Sequence, residues 1–404
     1  MRLLVSFAAL FLSISLVQLG SGALAPLDVL SGIQQGFSDV EIGLLGTAHF
    51  VGFFVGCWLA PRMMGSVGHI RAFAAFAAAG AIGALAHPML ISPLAWAAMR
   101  VMTGFAVAGA YTVTEAWLQA KITNDMRGKV MSVYRLVDLG ASLVAQMMIA
   151  VLEPASYISY NLLAILCCLC LVPLTLTAST QPATPKAPRL RPLRTIALSP
   201  LGAAGVIVAG ITTPAFRMVG PIYGNGIGLG PGAVGWFLGA AVLGGAAAQV
   251  PVGMLADRFD RRYVLIALSA GAVAVSAWLA GAGSSPAAVL AGSFAFGFTA
   301  FCVYSISAAH ANDFAEPEFM TELNASLMFL YGLGAIASPL AASALMSAFG
   351  PPALFAYISL AHAGLILFGL YRMTRRPTVE ERTTYRYTPR TSYMLSRLLR
   401  RRRG

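Results

Sequence analysis

Long, nearly uncharged apolar stretches recur from one end of the chain to the other, and they limit the fold more than any motif does. Each is long enough, at roughly 20 residues, to cross a bilayer as a helix. Barrel strands are shorter and alternate, and these stretches do neither. The spans read as 4–27, 42–60, 72–90, 93–119, 129–151, 156–178, 198–223, 232–256, 263–283, 286–310, 322–347 and 352–372. Of 404 residues, 58% are apolar and only 10% charged, against about 25% charged in soluble domains. A soluble enzyme is excluded. The expected fold is an all-α membrane protein of twelve transmembrane helices.

Charge sets the orientation. The net charge of +12 would suggest nucleic acid on a soluble protein, but its placement says otherwise. With the N-terminus inside, the inward loops hold Arg62 and Arg71; Lys121, Arg127 and Lys129; Lys186, Arg189, Arg191 and Arg194; Arg258, Arg261 and Arg262. The outward loops hold no Lys or Arg; Asp28, Asp39, Glu41 and Glu153 lie on that side. This positive-inside bias predicts both termini in the cytoplasm and an even number of spans. The apolar start resembles a signal peptide, but it is long enough to span, and its loss would break the pairing of halves, so an uncleaved first helix is expected.

The chain divides into 1–178, a six-helix bundle; 179–197, a Pro-rich basic cytoplasmic linker; 198–372, a second six-helix bundle; and 373–404, a basic tail. Six spans on each side of a linker, each half with a basic loop between its second and third spans, make an internal repeat. The tail alternates Arg with Thr and Tyr and ends in four arginines before Gly404. It reads as a disordered segment held near anionic lipid, or else as a docking peptide. Cys57, Cys167, Cys168, Cys170 and Cys302 all lie in apolar stretches without neighbouring His or carboxylate, so no metal or other cofactor is expected.

Polar residues inside the spans are the candidates for chemistry, because they are costly there. Arg100, followed by Gly104 and Gly109 in the fourth span, either faces a cavity or partner or snorkels to the outer interface. Glu115 lies near the inner end of that span, and Arg135 and Asp138 share a face of the fifth. Adjacent antiparallel helices should bring Glu115 and Arg135 together, as an inner-gate brace or as a protonatable coupling site. Arg217 accompanies Thr212, Thr213 and Pro214 in the seventh span; it contacts solute or gate, or snorkels. His310 and Asp313 close the tenth span, as proton carrier or, with Asn312, as helix cap. Gln18, Gln146, Thr213 and Tyr304 complete the pore candidates.

The clearest motif is Gly253-Met-Leu-Ala-Asp257-Arg258-Phe-Asp260-Arg261-Arg262. It resembles the loop signature of the major facilitator superfamily, where it acts as a conformational latch. The first half carries a degenerate copy without the acid: Gly56-Cys-Trp-Leu-Ala-Pro61-Arg62, then Gly65 and Gly68-His69-Ile70-Arg71, with His69 expected in a solvated loop. Tyr111-Thr-Val-Thr-Glu115-Ala-Trp117-Leu, Arg127-Gly128-Lys-Val, Ala311-Asn312-Asp313 and Tyr331-Gly332-x-Gly334-Ala-Ile-x-x-Pro339-Leu resemble the YcaD-like group of that superfamily. The resemblance implies a bacterial inner-membrane secondary transporter, with spans 1, 4, 7 and 10 lining a central cavity and two bundles that rock about it. There is no phosphate-binding P-loop, so a gradient, of protons in the first instance, is the expected energy source. Arg100 and Arg217 would favour a polar or anionic small-molecule substrate. The expected partners are that solute, protons and membrane lipid, on a monomer and without nucleic acid. A facilitator-fold receptor or scaffold working through its tail is the alternative.

Overall fold

A computed structural model describes residues 2–122, 127–176, 189–283 and 285–375. Most of the linker and the tail beyond Arg375 lie outside the described residues, as do the side chains of Lys121, Arg127 and Lys129.

The first unit contains α1 (Arg2–Gln34), α2 (Asp39–Val67), α3 (His69–Ala86), a 3-10 turn at His87–Met89, α4 (Pro93–Lys121), α5 (Arg127–Met148), α6 (Tyr157–Leu169) and α7 (Leu171–Thr175). The second contains α8 (Pro192–Leu198), α9 (Pro200–Gly226), α10 (Pro231–Arg258), α11 (Arg261–Gly281), α12 (Pro286–Ala300), α13 (Val303–Asn312), α14 (Met320–Phe349) and α15 (Ala353–Arg375). The described elements are all helical. Among the described residues, ten stretches are long and apolar enough to cross a membrane. The long helices outside that set are α4 and α5, which carry Arg100, Glu115, Arg135 and Asp138 in their lengths; the seven-residue α8 is too short to cross.

The two units pair their helices alike. In the first, α2 packs on α4, α1 on α5 and α6, and α3 on α4 and α6. In the second, α10 packs on α12, α9 on α14 and α15, and α11 on α12 and α15. Glycine lets the α2–α4 and α10–α12 backbones touch: a Cβ on Gly104 would strike the His49 carbonyl, and one on Gly297 the Ala241 carbonyl.

A second likeness lies in the first helix of each unit. Gly22-x-x-x-Pro26 in α1 is matched by Gly210-x-x-x-Pro214 in α9. Proline has no N–H, so the carbonyl four residues earlier loses its helical donor. Gln146 on α5 replaces it, donating from Nε2 to the Gly22 carbonyl at 3.3 Å. On the matching α14, Ser338 Oγ donates to the Ile211 carbonyl at 2.6 Å, one residue beyond Gly210.

Several expectations are corrected here. The first span does not stop at 27; α1 runs through Pro26 to Gln34. Asp28 is therefore a buried helical residue, 1% exposed, and not an outer-loop charge. Glu41 belongs to the first turn of α2, where it and Ser38 cap each other reciprocally. His69 is buried at the start of α3, its ring edge-on to Trp117 at 5.9 Å, and not solvated. The end of the linker is not loop: α8 starts at Pro192 and is tied to α14 by Arg191, which pairs with Glu322 at 3.1 Å.

Candidate functional site

The polar interior of the first unit holds two clusters. The first is sealed. Arg100, on α4, is 1% exposed, and its Nη1 lies 3.4 Å from Oδ2 of Asp28 on α1. His87, in the turn after α3, brings Nε2 to 3.3 Å from the same oxygen. Its Nδ1 lies 2.6 Å from the Gly83 carbonyl, and its ring stacks on Tyr160 of α6 at 5.3 Å. Burying a charge is costly unless it is paired, and the Asp28 carboxylate supplies that pairing. Arg100 therefore does not snorkel, and its charge is already met. Sequence reasoning missed Asp28 and His87 as its partners; Asp28, the residue immediately after the opening apolar run, was the available signal.

The second cluster is half-open and lies on α1, α4 and α5. Tyr111 is its hub. Its hydroxyl is 2.6 Å from Gln18 Oε1 and 2.6 Å from Asp138 Oδ1. The other carboxylate oxygen, Oδ2, is 3.5 Å from Arg135 Nη1. The side chains of Arg135 and Asp138 keep 14% and 13% of their surface exposed. Glu115 is buried and accepts a hydrogen bond from Tyr134 Oη at 3.3 Å. Tyr134 and Asp138, four residues apart on α5, reach Glu115 and Tyr111 of α4, and Arg135 lies three residues before Asp138, so the expected Glu-Arg-Asp cluster is assembled with two phenols added. Arg135 pairs with Asp138, and Tyr134 donates to Glu115. Tyr111 carried no signal beyond its place in the motif ending at Glu115. Gln18 is half-buried; Gln146 is buried and engaged with the α1 backbone.

In the second unit, Arg217 is exposed on α9, beside half-buried Met218 on the stripe that also includes Ile207 and Ile211. Thr213 and Tyr304 are buried, at 3% and 2% exposure. Tyr304 sits edge-on to Tyr331 at 5.5 Å, with its hydroxyl 3.9 Å from Met328 Sδ. His310 lies edge-on to Phe314 at 5.1 Å.

The loop motif is organised by one of its own arginines. Arg261, the first residue of α11, is 1% exposed. It donates from Nη1 to the Ala309 carbonyl at 2.8 Å and pairs with Asp313 at 2.5 Å. Asp257 Oδ1 lies 3.6 Å from its Nη2. The motif thus binds α10 and α11 to the end of α13, and Asp313 serves that bond. Arg262 grips Asp260 through Nε and Nη2 at 3.0 and 2.7 Å, while the Arg258 guanidinium lies 5.7 Å from the Phe259 ring centre. Gly253 is buried in α10. In the first unit's copy, Gly68 joins α2 to α3 at φ 85, a backbone that favours glycine, and Arg71 is exposed.

Comparison with known proteins fits this architecture. The family model described as Major Facilitator Superfamily matches residues 202–403. The uncharacterised MFS-type transporter YcaD of Escherichia coli O45:K1 is 25% identical over 338 residues, covering 81% of this chain and 85% of that protein. The YcaD protein of Shigella flexneri matches to the same extent. Among solved structures, a mutant form of the nucleoside transporter NupG superposes with a TM-score of 0.80 at 12% identity, over 91% of this chain and all of the other (100%). A bacterial homologue of the lysosomal transporter Spinster, inward-facing and unoccupied, gives 0.70 at 12% identity, covering 98% and 97%. A D-xylose-proton symporter gives 0.64 at 14%, covering 93% and 99%. At these identities the structural likeness is one of fold.

Proposed function

The chain belongs to the Major Facilitator Superfamily and is a multi-pass membrane transporter rather than an enzyme, and from that premise we propose that it moves a small polar solute by alternating access, driven by protons. We take it to cross the bacterial inner membrane twelve times with both termini in the cytoplasm, a reading supported by the basic inward loops. The observation that carries proton coupling is the Asp138 carboxylate. It lies inside a membrane helix, is partly open, and is shared between the Tyr111 phenol and the Arg135 guanidinium. A carboxylate so placed holds or releases a proton according to which neighbour it keeps. Gln18, half-buried and hydrogen-bonded to Tyr111, is the proposed solute contact.

The solute class follows from the pairing of charges. Arg100 is neutralised by Asp28, so it does not recruit an anion, which leaves Arg217 as the candidate cation for an anionic group. The neutral Gln18–Tyr111 edge suits a neutral polar solute better. Proteins of this fold include a nucleoside transporter and a D-xylose-proton symporter, and nucleosides and pentoses form the first panel to test. In proteoliposomes of the full chain, one of these solutes should accumulate under an imposed pH gradient, and a protonophore should abolish accumulation. Uptake indifferent to the pH gradient would overturn proton coupling.

A further inference from the structure

The Tyr111 hydroxyl stands at hydrogen-bond distance, 2.6 Å each, from two atoms drawn as acceptors: Gln18 Oε1 and Asp138 Oδ1. A phenol carries one proton and donates to one oxygen at a time. With Tyr111 donating to one of them, two arrangements that differ by the proton on Oδ1 satisfy both contacts. With Asp138 ionised, Tyr111 donates to Oδ1, and the Gln18 amide turns so that Nε2 donates to the phenol oxygen. With Asp138 protonated on Oδ1, its O–H donates to the phenol oxygen, and Tyr111 donates to Gln18 Oε1. The chain of hydrogen bonds runs in opposite directions in the two states.

On the reading that this unit couples protons to solute, we infer that Tyr111 is a positioning relay: the protonation state of Asp138, passed through Tyr111, sets whether Gln18 offers its free amide end to the solute as an acceptor or as a donor. In the ionised state the Gln18 carbonyl is free for a solute hydroxyl or amide. In the protonated state its NH2 is free for a solute carbonyl or ring nitrogen. No covalent change beyond proton binding at Oδ1 is needed, and the tyrosine proton never leaves its oxygen. The surroundings permit the exchange. Arg135 lies against the other oxygen, Oδ2, so a proton on Oδ1 does not occupy its place. Of the remaining ionisable neighbours on α4 and α5, Glu115 and Tyr134 are joined to each other, and α1 contributes Gln18 itself. Gly22 leaves room for the amide to turn, since a Cβ there would stand 2.9 Å from Gln18 Nε2.

The test is infrared difference spectroscopy of the full chain in lipid vesicles, between acidic and alkaline buffer, with no solute present. The wild type should show a protonated-carboxyl band that Asp138→Asn removes. A glutamine amide change that Gln18→Met removes should accompany it. In Tyr111→Phe the carboxyl band should persist but move to higher wavenumber, having lost its acceptor, while the glutamine change disappears. Gly22→Ala should diminish the glutamine change and leave the carboxyl band in place. A glutamine change that survives in Tyr111→Phe, or the lack of any band sensitive to Asp138→Asn, would overturn the relay. Failure of gradient-driven accumulation with these bands intact would refute the transport reading and leave the relay standing.

Discussion

The two units share a pattern of helix pairing and differ in where they keep their charge. The first buries carboxylates well inside its helices: Asp28 on α1, Glu115 on α4 and Asp138 on α5. The described carboxylates of the second, Asp257, Asp260, Asp313, Glu316, Glu318 and Glu322, lie at helix ends and loops. Its interior is furnished with Thr213, Ser338, Tyr304 and Asn324 and the buried ring of His362, while Arg217 is exposed on α9. Equivalent scaffolds therefore carry unequal chemistry. An interior carboxylate in lipid must be paired or protonated, which is why the proposed proton coupling is assigned to the first unit. In the second, ionic pairs at the helix ends brace a loop.

The largest expected effect breaks the sealed pair of the first unit. Asp28→Asn leaves Arg100 buried without its counter-charge and should cost about 3–5 kcal/mol, seen as a fall in thermal unfolding temperature in detergent. The double change Asp28→Leu with Arg100→Met should recover most of that loss, because two apolar side chains need no pairing. A double variant as unstable as the single one would mean that the pair does more than neutralise itself.

Comparable in size is the loop brace of the second unit. Arg261→Met removes charged hydrogen bonds to Asp313 and the Ala309 carbonyl, each worth about 1.5–3 kcal/mol. Stability should fall while the response of uptake to the pH gradient is unchanged per active molecule. A change in that response would transfer part of the coupling to the second unit and weaken the contrast.

The smallest effects should match between units. Gln146→Leu and Ser338→Ala each strip a side-chain donor from a carbonyl beside a proline break, at about 0.5–1.5 kcal/mol apiece. Both should lower the unfolding temperature by similar amounts. A loss confined to one would show that the proline breaks in α1 and α9 are not equivalent.

Much of this was legible in the sequence, and the remainder had physical reasons to be hidden. Apolar length and loop charge marked the helices, since membrane insertion is governed by those local quantities. Arg135 and Asp138 announced themselves as a pair because spacing along one helix is readable. Contacts between helices were not. Asp28 looked like a loop residue because Pro26 resembles a helix end, yet Gln146 repairs the backbone and α1 continues. Arg261 looked like one more cytoplasmic cation in a basic run, and only the approach of α13 buries it. Tyr111 was an unremarkable motif residue until α1 and α5 brought Gln18 and Asp138 to the same hydroxyl.

The division of labour between the units is tested most directly by comparing Asp138→Asn with Asp313→Asn in proteoliposomes preloaded with a transported solute. Counterflow exchange, which needs no net proton movement, should survive in both. Accumulation against a gradient under an imposed pH difference should be lost in Asp138→Asn and retained in Asp313→Asn. Retained accumulation in Asp138→Asn, or its loss in Asp313→Asn alone, would contradict the assignment of proton coupling to the first unit.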